Sequence, residues 1–87
     1  MQTDVRSNIT GASVVLHRIC PTQNQRRFYA VSLTADLFGN VLLIRNWGRI
    51  GTGGRVRFEL YFGTPEAMTA LEKLTRTKHR RGYKSRG

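Results

Sequence analysis

Asn46-Trp47-Gly48-Arg49-Ile50-Gly51-Thr52-Gly53-Gly54 is the stretch on which the reading of this chain turns. It holds the only tryptophan, set between Arg45 and Arg49, and packs four glycines into seven positions. Ahead of it, Val41 to Trp47 has the composition of a strand; behind it, Val56, Phe58, Leu60 and Phe62 alternate with Arg55, Arg57, Glu59 and Tyr61. Period-2 geometry puts alternate residues on opposite faces of a strand. Trp47 then shares a face with Val41, Leu43, Arg45 and Arg49. An indole between guanidiniums, at the mouth of a glycine turn where backbone can approach a ligand closely, suits a nucleotide or phosphate contact. The competing reading is that a lone tryptophan simply packs in the core or at its rim.

Working outward, Ser13 to Cys20 and Arg26 to Thr34 read as two further strands, separated by the turn-forming Pro21-Thr22-Gln23-Asn24-Gln25. Asp36 and Gly39-Asn40 supply turn chemistry between the second and third strands. In the fourth strand the apolar side, Val56, Phe58, Leu60 and Phe62, is expected to face the core. Gly63-Thr64-Pro65-Glu66 marks a helix start, with Thr64 as cap, Pro65 in the first turn and Glu66 at the positive end of the dipole. The helix is expected to run to about Lys78. Ala67, Ala70, Leu71 and Leu74, widened by Met68, form its buried stripe. The fold class is α+β: a mostly antiparallel sheet of about four to five strands with one helix across it, in a single domain. Residues 1–12 read as a flexible arm, 13–83 as the domain and 84–87 as a basic tail. Tyr83, behind Gly82, either locks that end onto the sheet as a short extra strand or reaches a nucleic acid.

Composition narrows the function. Fifteen Lys and Arg against five Asp and Glu give a formal charge of +10, which points to a polyanionic partner, nucleic acid ahead of an anionic membrane surface. The chain's 87 residues can bury only roughly 60% of the unfolded surface, so the core is thin. Cys20 is the sole cysteine, which excludes an internal disulfide or a paired-cysteine zinc site and fits a reducing, cytoplasmic setting. No window approaches the roughly 18 apolar residues of a membrane span. The five acids, Asp4, Asp36, Glu59, Glu66 and Glu72, are scattered, and His17 has no partner at a telling spacing. Neither a catalytic set nor a metal site emerges, so a non-enzymatic binding role with no cofactor is expected. Gly51-Thr52-Gly53-Gly54 lacks the lysine and following helix of a phosphate-binding P-loop.

The run Trp47-Gly48-Arg49-Ile50-Gly51 is preceded by Arg27-Phe28-Tyr29 and Phe38-Gly39-Asn40-Val41, and followed by Phe58, Phe62, Pro65-Glu66-Ala67, Lys78 and Gly82-Tyr83. This ordered set resembles the WGR domain family over roughly Val15 to Tyr83. The resemblance implies a compact α+β module that binds DNA, similar to the domain that sits at strand breaks in eukaryotic poly(ADP-ribose) polymerases. It implies that Trp47 packs on a terminal sugar, that Arg49 meets the backbone, and that Arg26 and Arg27 are auxiliary contacts. Binding is what it transfers, since no ADP-ribosyltransferase domain accompanies the motif here. Arg45, Arg55, Lys78, Arg80, Arg81 and Lys84 complete the expected basic surface. An RNA-binding module on the same surface, or an adaptor docking an acidic protein partner, are the alternatives. The sequence leaves the oligomeric state open, with a monomer as default.

Overall fold

The computed structural model describes residues 12–85. The arm expected over residues 1–12 lies, apart from Ala12, outside the described residues. Five strands form one antiparallel sheet: β1 (Ser13–Cys20), β2 (Gln25–Ala35), β3 (Val41–Arg49), β4 (Arg55–Tyr61) and β5 (Lys84–Ser85), in the spatial order β4-β3-β2-β1-β5. Each pair of consecutive strands from β1 to β4 is a hairpin, and β5 returns after the helix to pair with β1. The helix, α1 (Thr64–Arg80), extends two residues beyond the expected end. Gly63, not Thr64, is its N-cap residue, and no side chain caps it. The first turn is instead closed by the Ala67 amide donating to the Gly63 carbonyl at 3.2 Å. Glu66 stands in the first turn and Lys78, His79 and Arg80 in the last, the charge order that the helix dipole favours.

The connections follow local chemistry. Pro21–Gln23 forms a turn of 3-10 helix, closed by Asn24 in the left-handed region, φ 54°. Between β2 and β3 the Asp36 carboxylate accepts from the Phe38 and Asn40 amides at 2.8 and 3.0 Å. Those bonds favour the ionised form, and they hold the Asp36 carboxyl below its ordinary pKa.

The core lies between the helix and the middle of the sheet. Leu16, Tyr29, Val31, Leu33, Val41 and Leu43 from the strands meet Ala67 and Leu71 from α1, and all eight are buried. Met68, Ala70 and Leu74 flank them, as the helical stripe predicts. Thr69, Glu72, Lys73 and Arg76 are exposed.

One expectation is reversed. Val56, Phe58, Leu60 and Phe62 do not face the core; they are 52, 62, 53 and 83% exposed. The register sets Tyr61 opposite Val41, Glu59 opposite Leu43 and Arg57 opposite Arg45, so the polar residues of β4 take the helix side. Alternation shows that a strand has two unlike faces; the partner strand decides which is covered. Here Tyr61 supplies apolar contact at the helix margin, and Glu59 Oε2 receives Arg45 Nη2 at 2.8 Å and lies 3.6 Å from Arg57 Nε. The apolar side of β4 joins Val15, Phe28, Leu42 and Ile44 on the face that α1 leaves bare.

The β3–β4 turn is built on close backbone approach. A Cβ on Gly48 would stand 2.8 Å from the Gly54 Cα, and one on Gly54 would stand 2.8 Å from the Phe28 ring. The Phe28 ring thus closes over two facing glycines. Gly54 also has φ +69°, and Gly51 +97°. Asn46 Nδ2 donates to the carbonyls of Gly53 and Arg55 at 3.0 and 2.8 Å, pinning the turn to its strand.

Two stability measurements check these assignments. In urea unfolding, Leu43→Ala should cost about 2–5 kcal/mol, as for a fully buried leucine, whereas Phe62→Ser should stay within about 0.5 kcal/mol. A comparable loss at Phe62 would contradict the face assignment. Gly54→Ala, which combines a disfavoured φ with a clash, should cost more than about 1 kcal/mol; an unchanged denaturation midpoint would show that the turn is not tight.

Candidate functional site

At the end of β2 and β3 furthest from the Asp36 turn, the helix-side face changes from apolar to cationic. Tyr29 pairs with Trp47, Arg27 with Arg49, Arg18 with Arg27, and Trp47 with Arg55. These pairings bring an aromatic pair and four arginines to one patch on three hairpin-linked turns of sequence. Strand parity alone does this, because residues directly opposite in an antiparallel pair point to the same face.

Trp47 is half-buried. One side of it packs against the core, and the rest stands between two hollows. The first, about 250 Å³, is lined by Tyr29, Arg45, Trp47, Leu74, Thr77, Lys78 and Arg81. The second, about 230 Å³, is lined by Arg27, Trp47, Gly48, Arg49 and Tyr83. The Arg45 guanidinium sits 5.8 Å from the centroid of the indole ring. Lys78 Nζ reaches across from α1 to lie 4.7 Å from the Tyr29 ring centroid and 5.3 Å from that of Tyr83, and the two tyrosine rings meet edge to face at 6.4 Å. Tyr83 is therefore anchored at the site as the lead-in to β5. The Tyr83 amide donates to the Lys78 carbonyl at 3.0 Å, which turns the chain back from the helix.

The electrostatics of the first hollow are unbalanced. Among the described residues Glu59 is the only acid in salt-bridge contact with the cations of this face, and it holds Arg45 and Arg57. Lys78 has its pKa lowered, first by burial and then by repulsion from Arg81, Arg45 and Arg27. Tyr29 Oη and Arg45 Nε are buried, and neither has a hydrogen-bond partner among the described residues. Burial raises the Tyr29 pKa against the opposing pull of Arg45, so the phenol is a neutral donor at physiological pH. Two unmatched donors and a repelled ammonium facing one hollow would all be relieved by an anionic oxygen.

Arg49 is exposed at the rim. Its Nη1 donates weakly to the Asn24 carbonyl at 3.5 Å, and its own carbonyl accepts from the Thr52 amide and hydroxyl at 3.1 and 2.7 Å. The backbone at Arg49 is thus fixed while the guanidinium stays accessible. The Ile50 amide donates to the Arg26 carbonyl at 2.8 Å and extends the β2–β3 ladder to the turn.

The expected site residues divide by position. Trp47, Arg49, Arg45, Arg27, Lys78 and Arg81 converge on the two hollows, and exposed Arg55 lies beside Trp47 across the register. Arg26 alternates with Arg27 and so belongs to the opposite face of the sheet. Arg80 is exposed on the last turn of α1 and lines neither hollow. Lys84 pairs with His17 in β5, also on the bare-face side. The residues missed from the sequence are Tyr29, which lines the first hollow, and Arg18, whose Nη1 donates to Gln25 Oε1 at 2.5 Å beside Arg27; Tyr83, expected either to lock the chain end onto the sheet or to reach a nucleic acid, leads into β5 and lines the second hollow. Parity within the β1–β2 hairpin would have found Arg18. Among the described residues there is no group of three or more His, Cys, Asp and Glu able to hold a metal ion, and no helix long and apolar enough to cross a membrane.

The family model described as the WGR domain matches residues 12–87. A relative from Sinorhizobium fredii (strain NBRC 101917 / NGR234), named Uncharacterized protein y4dW, is 38% identical over 71 residues, which is 82% of this chain and 35% of that protein. The chain thus spans about a third of that relative's length. No solved structure matches it. With the Trp47-Gly48-Arg49 motif set at the rim of two cationic hollows and a family match over all of the described residues, the chain belongs to the WGR domain family.

Proposed function

We propose that this protein is a non-catalytic nucleic-acid-binding module that takes DNA by its ends, nicks or exposed backbone. The observation that carries the reading is Trp47, half-exposed between two hollows whose cations outnumber the one acid that, among the described residues, contacts them. A base or sugar at a terminus has an open π-face or ring for the indole to meet, which an uninterrupted duplex does not offer. Arg49 at the rim of one hollow, and Arg45, Lys78 and Arg81 around the other, would take phosphate oxygens on either side of it. Tyr29 Oη and Arg45 Nε are donors for the group that enters deepest.

Base sequence is not what this surface reads. The exposed side of α1 offers Thr69, Glu72, Lys73 and Arg76, a poor set for the major groove. The family match supports the same class of partner. A reducing cytoplasmic location fits both such a partner and the free thiol of Cys20.

A competition titration of the purified protein against blunt duplex, nicked duplex, single strand, structured RNA and closed circle tests this. The wild type should favour ligands with termini. Trp47→Ala should weaken them by about ten- to a hundredfold, the loss of one stacked group, and leave the circle nearly unaffected. Arg49→Ala should lower the slope of log affinity against log salt by about one. Arg80→Gln with Lys84→Gln, away from the hollows, should remove only a small, ligand-independent part. Equal affinity of wild type for circle and linear duplex would sink the terminus reading; tightest binding to RNA would reassign the partner.

A further inference from the structure

The two edges of the sheet are unlike. β5 ends one side with two residues, one of them a lysine, which blunts that edge against further pairing. β4 ends the other side with seven residues and no proline or glycine to discourage a neighbour, and its charges, Arg55, Arg57 and Glu59, are of both signs, so they discourage some registers and favour others. Its outer backbone groups have no strand partner among the described residues. Its Val56, Phe58 and Leu60 are more than half exposed. Such an edge is a template for another strand, and its side chains state which strand fits.

Arg55-Val56-Arg57-Phe58-Glu59-Leu60-Tyr61 is complementary to itself. Laid antiparallel against a second copy with the two-fold axis at Phe58, Val56 falls opposite Leu60, Phe58 opposite Phe58, Arg57 opposite Glu59 and Arg55 opposite Tyr61. Apolar residues meet on the bare face, and two opposite-charge pairs form on the helix side. Neighbouring registers fit less well. An axis at Arg57 keeps Arg55 opposite Glu59 but sets arginine against arginine at its centre, an axis at Glu59 sets carboxylate against carboxylate, and a shift by one residue places Arg57 against Phe58 and mixes the two faces.

We propose that the protein self-associates through β4, two copies pairing antiparallel about Phe58 into one continuous sheet with five strands from each. The join lengthens the apolar stripe of Leu42, Ile44, Val56, Phe58 and Leu60 on the bare face. Because residues opposite one another keep the same face, both helices lie on one side of the joined sheet. Trp47 stays outside the contact, so each copy keeps its own pair of hollows, one at each end of the assembly. This pairing does not depend on what those hollows bind.

Sedimentation equilibrium from micromolar to millimolar protein reads the association directly. Wild type should approach twice the chain mass as concentration rises. Phe58→Asp, which sets two carboxylates on the axis, should remain at the single-chain mass. Arg57→Glu sets two acid pairs across the axis and Glu59→Lys sets two basic pairs, and each should weaken association by about tenfold. An equimolar mixture of those two variants should recover the doubled mass, since each then meets its opposite charge. Circular dichroism checks that the variants fold; Phe58 and Arg57 are exposed and should tolerate change, and if Glu59→Lys unfolds for want of an Arg45 partner, the other two variants decide alone. The proposal is overturned if wild type stays single at the highest concentration, or if its association survives Phe58→Asp or Arg57→Glu. Folded charge variants whose mixture fails to recover the doubled mass would also overturn it.

Discussion

A helix is only about 10–12 Å across, and strands lie about 4.8 Å apart, so one helix can fully cover little more than two strands of a sheet. The described residues form five strands and one α-helix. The width of α1 therefore divides the sheet into regions of different character. Under the helix, Val31, Leu33, Val41 and Leu43 are dry. Beyond it along the strands, the same side of the sheet carries Trp47 and its arginines; beyond it across the strands, β4 shows exposed arginine on one face and exposed hydrophobe on the other. Core, cationic rim and free edge all follow from how far one helix reaches.

The rim depends on that coverage in a second way. Tyr29 is buried through packing with the core, yet its hydroxyl and Arg45 Nε point to where the apolar contacts stop. Lys78 arrives from the last turns of α1 and lies over aromatic rings, a setting that tolerates an ammonium without a carboxylate. Such a surface holds its charges in place before a ligand comes. The cost is partial burial of the Lys78 ammonium, the main cause of its lowered pKa, followed by repulsion from Arg81, Arg45 and Arg27; Glu59 offsets only part of that repulsion.

Much of this was legible in the residues. Period-2 runs located the four long strands, the Gly63-to-Glu66 signal located α1 within a residue or two, and Asp36 with Gly39 and Asn40 identified the turn that the carboxylate holds. Pairing Trp47, Arg45 and Arg49 on one face needed only parity. The misreading of β4 has a specific physical origin. Val56, Phe58 and Leu60 look like a core side because apolar burial is the default expectation, but a strand at the sheet's margin is oriented by its neighbour, and Arg45 required Glu59 on its own face. The role of Tyr29 was hidden for another reason. Its ring meets that of Tyr83 across two elements distant in sequence, and only the turn from Lys78 to Tyr83 brings them together.

The Phe28 ring, seated on the bare face over Gly48 and Gly54, makes the central letter of the Trp47-Gly48-Arg49 motif answerable to residues that no ligand would touch. Neither glycine can grow a side chain without displacing its neighbour, and the ring fills the space their missing side chains leave. These three positions consequently constitute one unit of inheritance: a lineage that replaces either glycine must reshape the aromatic behind it, or forfeit the placement of the indole in front.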